Sequence, residues 1–329
     1  MKTGSIVFCI LSAVIGAGFA SGREIMQFFS QYGELSWALA VIAALCMCLL
    51  MHRVMGRSGK DLAGLMPGVR WRFAGQLLTG FLLLCTGGGM AAAAGELTAL
   101  TVPIHHARML GLFGTLTACL ILSRWPLHIL RGMGWLLIPA LLLALTLCAR
   151  VPALPLPAAA PSLSACVMAV LGALSYAGMN VMLAAEILCE AGGRCSRRDR
   201  HRCAAWAGGA VGTLLILGNA ALLPHAAALR DASLPMVALL RVYGKAGYYL
   251  AAAVLYLAVS TTLIAILRAL CALLRQHFSG KGAALLTGLL TALVALCGFE
   301  GIVAHVYPAL GFICLILLCW PQGRHEAET

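Results

Sequence analysis

Long apolar segments recur along the whole chain, and they restrict the folds that it can adopt. Ten of them approach or exceed the roughly 20 residues with which a helix crosses the hydrocarbon core of a bilayer. They lie at 5–29, 35–52, 73–100, 107–123, 127–149, 163–190, 203–223, 245–274, 282–298 and 302–320. Only helices and closed β-barrels satisfy their backbone in lipid, and these segments are too long for barrel strands. The sequence therefore predicts an all-α, polytopic membrane protein with about ten transmembrane helices.

The composition agrees with a protein that is surrounded by lipid. Of the 329 residues, 62% are hydrophobic and 10% are charged, whereas soluble domains have about 45–50% apolar and about 25% charged residues. These proportions argue against a soluble enzyme or a DNA-binding protein. The formal net charge of +12 would suggest nucleic acid in a soluble protein, but the basic residues lie mostly in short loops between apolar segments. We expect the lipid bilayer as a partner and no nucleic acid.

The basic residues also predict which side of the membrane each loop faces, because short cytoplasmic loops carry an excess of Lys and Arg. If both termini are cytoplasmic, 17 Lys and Arg fall inside and 5 outside, with Arg23 inside a span. The bias alternates loop by loop and agrees with an even number of spans. We therefore expect a multi-pass protein with both termini in the cytoplasm.

A Pro- and Ala-rich segment from Arg150 to Ser162 divides the chain. Five predicted spans precede it and five follow it, so the chain forms one integral membrane domain with two halves, 1–150 and 163–320. Because each half has an odd number of spans, the second half is inverted in the membrane. The sequence thus predicts a five-plus-five inverted repeat.

The first span contains the sequence GAGFASGRE, from Gly16 to Glu24. Its three glycines are poor helix formers, and they permit positive φ angles and close approach of a ligand to the backbone. Ser21 and Glu24 form an S-x-x-E pattern that is typical of a helix N-terminus. We predict that one half-helix ends near Gly16 and that Ser21 caps a second, whose N-terminus favours an anionic group. Close helix packing through small residues is the alternative.

The sixth span has a related sequence, in which Asn180 is a candidate cap for another half-helix. Eight residues separate Gly178 from Glu186, as they separate Gly16 from Glu24, and the two sites are 162 residues apart. Interrupted spans at corresponding positions of two halves point to a transporter binding site. We therefore predict that helices 1 and 6 are broken.

The sequence GAGFASGREIMQFF, from Gly16 to Phe29, resembles the first-span motif of the YkvI-type bacterial membrane proteins. These are similar to distant members of the amino acid–polyamine–organocation transporter superfamily, which has the LeuT-like fold of five plus five inverted helices. Span count, length and topology extend the resemblance along the chain, while the sixth span matches loosely. The resemblance implies a secondary transporter of a small amine- or amino-acid-like solute, working by alternating access in the bacterial cytoplasmic membrane.

The resemblance and the interrupted spans together suggest a site for the solute on spans one and six. Its candidate residues are Gly16, Ala17, Gly18, Phe19, Ser21, Glu24, Tyr176 and Asn180. In this hypothesis the backbone amides of the first span and the Ser21 hydroxyl face Tyr176 and Asn180. Glu24 is included because an ionisable residue at membrane depth is costly and therefore a functional candidate.

The LeuT-like fold also suggests a Na⁺ site between spans one and eight. A helix that ends near Gly16 frees the carbonyls of Ser12 and Ile15, and span eight carries the hydroxyls of Thr261 and Thr262. Two alternatives stay open. The hydroxyls bond back to their own helix, or a proton carried by Glu24 replaces Na⁺ as the coupling ion. We expect no cofactor and no metal beyond this Na⁺.

A rival interpretation is a receptor or assembly subunit that has the same fold and binds a ligand without transporting it. The sequence contains no P-loop, no H-E-x-x-H and no G-x-S-x-G motif, so neither an ATPase nor an intramembrane enzyme is expected. The intramembrane acids are Glu24, Glu96, Glu186 and Glu300, and Arg23 is a candidate partner for one of them. The sequence leaves the oligomeric state open.

Overall fold

The computed structural model describes residues 3–56, 69–124, 128–152 and 162–319. Every regular element in these ranges is helical, which confirms the all-α prediction. Most of the Pro- and Ala-rich segment lies outside the described residues. Arg57 and Lys60, two of the 17 basic residues counted as cytoplasmic, and the tryptophans Trp125 and Trp320 near the ends of predicted spans also lie outside them.

Fifteen α-helical segments follow one another along the described chain. They are α1 (Thr3–Val14), α2 (Ala17–Ser21), α3 (Arg23–Phe28), α4 (Leu35–Gly56), α5 (Val69–Thr101), α6 (Ala107–Leu122), α7 (His128–Cys148), α8 (Leu163–Leu183), α9 (Ala185–Arg194), α10 (Arg197–Leu222), α11 (Pro235–Leu240), α12 (Gly244–Leu274), α13 (Gly280–Ala295), α14 (Phe299–Gly301) and α15 (Tyr307–Cys319). A π-helical turn at Ile302–Val306 joins α14 to α15.

Six helical stretches in the described part of the chain are long and apolar enough to cross a bilayer. They are Leu35–Gly56, Gly75–Thr101, Leu163–Leu183, Arg197–His225, Pro235–Leu274 and Phe299–Cys319. Three shorter apolar helices and the interrupted first segment occupy the other predicted positions. The multi-pass helical architecture is confirmed, and the count of ten spans stays a prediction.

Glycines let several of these helices pack closely. A Cβ atom on Gly178 of α8 would lie 2.6 Å from the carbonyl oxygen of Gly311 on α15, so the two helices meet backbone to backbone. On α5, a Cβ atom on Gly88 would lie 2.8 Å from Cβ of Val294 on α13. Small residues commonly permit such approach between membrane helices. The glycine triplet 87–89 therefore serves close packing, and α5 continues through it without a break.

The sixth predicted span has a one-residue irregularity at Ala184, which still donates to the Asn180 carbonyl and accepts from the Leu188 amide as in a helix. α8 continues through Asn180 to Leu183, and α9 begins at Ala185. Asn180 caps no helix, because its side-chain amide donates to the Tyr176 carbonyl of α8 at 3.0 Å. The predicted cap was wrong because small residues in this segment make room for a neighbouring helix without breaking their own.

Candidate functional site at the interrupted first span

The first span is interrupted near Gly16, as predicted, since α1 ends at Val14 and α2 begins at Ala17. The Gly16 amide donates to the Val14 carbonyl at 3.0 Å instead of reaching back to Ser12. The first hydrogen bond of α2 ends on the Gly16 carbonyl. The carbonyls of Ser12 and Ile15 therefore lose the partners that an unbroken helix would provide.

A second interruption follows at Gly22, and it replaces the predicted capping box. Gly22 has φ 80° and ψ −4°, a left-handed conformation that suits glycine. Ser21 is the last residue of α2, where its hydroxyl donates to the Gly18 carbonyl at 3.0 Å and accepts from the Arg23 amide at 3.2 Å. The predicted pairing of Ser21 with Glu24 was wrong because the chain turns at Gly22 and α3 begins after it.

The Glu24 carboxylate folds back over α2. Only 4% of Glu24 is exposed, and a Cβ atom on Gly18 would overlap its carboxylate. Gly18 is the one residue of α2 without a side chain, so it alone leaves room there. The Oε2 atom of Glu24 is buried and has no hydrogen-bond partner. No ion pair observed among the described residues includes Glu24, so this acid has an unused acceptor in the protein interior.

Two tyrosines from other helices complete the surroundings of Glu24. Tyr176 of α8 and Tyr307 of α15 are fully buried, and both lie within electrostatic range of the carboxylate. Their hydroxyl oxygens make no hydrogen bond of normal geometry, although the Asn180 side chain approaches that of Tyr176 and the Thr86 side chain approaches that of Tyr307. The ring of Tyr176 packs edge-on against Phe29, with centroids 5.2 Å apart, and the Tyr307 hydroxyl lies 3.2 Å from where a Cβ atom on Gly89 would stand. Buried polar groups are normally satisfied, so three unsatisfied groups in one region point to a ligand or water there.

Helix α12 reaches the first interruption through Thr262. A Cβ atom on Gly16 would lie 3.7 Å from the Thr262 hydroxyl oxygen, which is buried and unpartnered. Thr261 instead donates to the carbonyls of Leu257 and Ala258 in its own helix, at 3.0 Å each. Thr262 therefore lies at the break with an unpartnered hydroxyl. Thr261 bonds back to its own helix, which was the alternative to a Na⁺-binding role for the two hydroxyls.

An ion pair closes this region on the side that is predicted to face outwards. Arg23 of α3 donates to Glu300 of α14 at 2.6 Å, and to the carbonyls of Arg230 and Ala232 at 2.8 and 3.1 Å. The Arg23 side chain is 8% exposed and that of Glu300 is 48% exposed. The expected pairing of Arg23 with an intramembrane acid is thus observed, and it ties α3 to α14 and to the loop between α10 and α11.

The other intramembrane acids contribute nothing visible to this region. Glu96 forms an ion pair with Arg108 at 2.5 Å, and the side chain of Glu186 lies outside the described part of the structure. No group of three or more His, Cys, Asp or Glu that could hold a metal ion occurs among the described residues.

Of the candidate solute-site residues, Gly18 lies against Glu24, Tyr176 lies within electrostatic range of Glu24, and Phe19 is in the buried core. Two further residues of the region were missed by sequence reasoning. Tyr307 joins Glu24 from α15, and the end of the Met90 side chain lies 3.5 Å from where a Cβ atom on Gly16 would stand. The only sequence signal for Tyr307 is a phenol in an otherwise apolar last span.

No known protein family and no curated protein matches the sequence, but solved structures resemble the fold. A manganese transporter from Eremococcus coleocola, in complex with an aromatic bis-isothiourea substituted compound, has a TM-score of 0.64 at 16% identity and covers 95% of this chain and 76% of its own. Mhp1, a nucleobase-cation-symport-1 family transporter in a closed conformation with bromovinylhydantoin bound, has a TM-score of 0.65 at 16% identity. The match covers 95% of this chain and 76% of the Mhp1 chain. MhsT in complex with L-phenylalanine has a TM-score of 0.61 at 16% identity, and the match covers 96% of this chain and 88% of the MhsT chain.

The fold is that of the LeuT-type transporters. The likeness spans nearly the whole chain in each comparison, and it confirms the LeuT-like class that the sequence predicted. The more specific YkvI-type assignment stays a prediction. All three similar proteins are transporters and not enzymes, which agrees with the lack of catalytic motifs in the sequence.

Proposed function

We propose that the protein is a secondary transporter of a small amine- or amino-acid-like solute, working by alternating access in the bacterial cytoplasmic membrane. The observation that carries this proposal is the interior region around the interrupted first span. There Thr262 of α12 lies beside Gly16 at the break, and Tyr176 of α8 and Tyr307 of α15 lie within electrostatic range of the unpartnered Glu24 carboxyl group. Irregular backbone at membrane depth is tolerated where it lines a cavity, and such breaks form the binding sites of many transporters.

The two halves, 1–150 and 163–320, form an inverted repeat in this proposal. Its support is that the first helix of each half is irregular: it is broken near Gly16 in one half and has a single irregular residue, Ala184, in the other. Transporters of this kind rock one part of the fold against another around a central site. The solute site then lies between these two helices.

Sodium is the coupling ion that we favour. The carbonyls of Ser12 and Ile15 and the hydroxyl of Thr262 offer neutral oxygens at the break. Thr261, whose hydroxyl hydrogen is engaged within α12, stays a further candidate ligand. Na⁺ needs several such oxygens and no full charge. Proton coupling through Glu24 is the alternative, and its support is the buried, unpartnered carboxylate.

Movement of the outer entrance separates a transporter from a static receptor with the same fold. Spin labels are placed at Gln31, after α3, and at Asp231, in the loop between α10 and α11 whose carbonyls accept from Arg23; both residues are exposed. In a cysteine-depleted protein we expect two populations of label–label distance, whose ratio changes with Na⁺ and solute. Arg23→Ala should enrich the longer distance because it removes the ties to Glu300 and the loop. Arg108→Ala, which breaks the Glu96 pair instead, should leave the ratio unchanged, and a single invariant distance would favour the receptor.

The predicted orientation is tested by cysteine labelling. Cys195 lies between α9 and α10, in the loop that the charge bias places in the cytoplasm. In a protein with Cys195 as its only cysteine, a membrane-impermeant maleimide should react only after the cells are permeabilised. A companion protein with cysteine only at Asp231→Cys should react in intact cells. Labelling of Cys195 from outside would reverse the topology.

A further inference from the structure

Glu24 places a carboxylate of the protein itself on the backbone of α2. The carboxylate lies where a side chain on Gly18 would stand, and it is held there in the interior with 4% of the residue exposed. One of its oxygens, Oε2, faces no hydrogen-bond donor. The place beside the α2 backbone is therefore already occupied by an acid of the chain, and a solute carboxylate would have to displace it.

The basic side chain next to Glu24 in the sequence, Arg23, already has a carboxylate partner in Glu300. Arg23 is the only lysine or arginine that is buried among the described residues. Its two terminal nitrogens donate to Glu300 and to two carbonyls on the predicted outer side, and only its Nε is buried without a partner. The Glu24 oxygen accepts hydrogen bonds, and the hydroxyls of Tyr176 and Tyr307 can accept as well as donate, so a cation with N–H groups can satisfy all three.

We infer that the solute is an organic amine, whose ammonium group binds to Glu24 between the Tyr176 and Tyr307 side chains, and that the site does not use a solute carboxylate. This inference rests on the proposed function, because it assigns the chemistry of the same site. An ammonium group would donate a charge-assisted hydrogen bond to the carboxylate, and it would gain favourable contact with the faces of aromatic rings. Its N–H groups also satisfy acceptors that are otherwise buried without partners.

A divalent metal ion fits the region less well than an amine. Mn²⁺ and similar ions prefer several carboxylate, carbonyl or water oxygens around one centre. The described residues offer no group of three His, Cys, Asp or Glu that could hold a metal ion, and Glu24 stands there without a second acid. Phenol hydroxyls and a single carboxylate match an ammonium group instead.

The test uses sets of compounds that share one carbon skeleton and differ only in charged groups. One set is 2-phenylethylamine, phenylalanine and 3-phenylpropionate, and the other is butylamine, norvaline and pentanoate. Calorimetric binding to the purified full-length protein should detect the amine of at least one set, at least about tenfold tighter than its amino acid, and should detect neither acid. Equal or tighter binding of the amino acids, or binding of Mn²⁺ without any amine, would overturn the inference.

Variants locate the interaction. Glu24→Gln should weaken amine binding at least about tenfold, since hydrogen bonds to charged groups are the strong ones, and Glu24→Asp should restore part of it. Tyr307→Phe should weaken amine binding severalfold while the protein keeps its unfolding temperature. Glu96→Gln, which changes an acid that is paired with Arg108, should leave binding as in the wild type. Unchanged amine affinity in folded Glu24→Gln protein would refute the role of the carboxylate.

The inference and the transport proposal fail in different ways. If an amine binds through Glu24 but never crosses a sealed membrane, the site chemistry stands and transport fails. If an amino acid is transported and amines do not bind, transport stands and the amine assignment fails.

Discussion

Gly18→Leu is expected to abolish solute binding while the protein still inserts into the membrane and folds. A side chain at this position would occupy the place of the Glu24 carboxylate, so Glu24 must leave the site and the α2 backbone is covered. We expect affinity to fall by more than about 100-fold, or ~2.7 kcal/mol. Equilibrium binding to purified protein measures the effect, with the unfolding temperature as the record of folding.

Gly209→Leu is the matched control for this substitution. Gly209 lies on α10, another predicted span, and a Cβ atom there meets nothing within 4 Å. An added apolar side chain on such an exposed face should leave both stability and binding close to those of the wild type. Wild-type affinity in Gly18→Leu would contradict the account, because the α2 backbone and Glu24 would then lie outside the site.

Thr262→Val is expected to remove the effect of Na⁺ on the protein. Valine keeps the shape of threonine and lacks the hydroxyl that lies unpartnered beside Gly16. In the wild type, replacing K⁺ by Na⁺ at constant ionic strength should raise the unfolding temperature, since an ion that binds only the folded state stabilises it. In Thr262→Val, Na⁺ affinity should fall at least about tenfold, or ~1.4 kcal/mol. Thr261→Ala should have a smaller effect, because the Thr261 hydroxyl hydrogen is engaged within α12.

Thr291→Val controls for the loss of a buried hydroxyl. The Thr291 oxygen is also buried and unpartnered, but it lies on α13, and its methyl group is 3.5 Å from where a Cβ atom on Gly87 would stand. Its removal should leave the Na⁺ response intact. Under Na⁺ coupling, Glu24→Gln should keep this response as well. Under proton coupling, Na⁺ would not change the unfolding temperature, and Glu24→Gln would remove the pH dependence of solute binding.

The membrane fold and the first break were predictable from sequence because both depend on local chemistry. Apolar segments of span length have few alternatives to a transmembrane helix. The glycines from Gly16 to Gly22 weaken the helix where they stand, whatever surrounds them. The LeuT-like arrangement was reached through a motif in the same short segment.

The errors arose where one residue type serves two purposes. Asn180 occurs both at helix starts and inside membrane helices, where it bonds to its own backbone, and the sequence does not distinguish the two. A small residue such as Gly178 can break a helix or can let a second helix pack closely against an unbroken one. Which of the two occurs at Gly178 depends on α15, which is more than 120 residues away in the chain. Ser21 does not cap a helix start, because Gly22, with its positive φ, ends α2 and precedes α3.

Only some residues of the site were predictable from sequence, because the others come from distant parts of the chain through tertiary contacts. Glu24 and Gly18 are six residues apart, so their proximity follows from a local turn. Tyr307 comes from the last helix, and no pattern near residue 307 links it to the first span. The difference between Thr261 and Thr262 is also invisible in sequence, since it depends on which side of α12 faces the break.

Solute flux into sealed vesicles tests the central claim most directly. The purified protein is reconstituted into proteoliposomes, and uptake of the compound that binds it most tightly is followed with an inward Na⁺ gradient and with K⁺ in its place. The account predicts saturable uptake above that of protein-free vesicles, driven by the Na⁺ gradient, retained in Gly209→Leu and lost in Gly18→Leu. A protein that binds the compound with unchanged affinity after reconstitution but gives no uptake and no exchange under either gradient would contradict it.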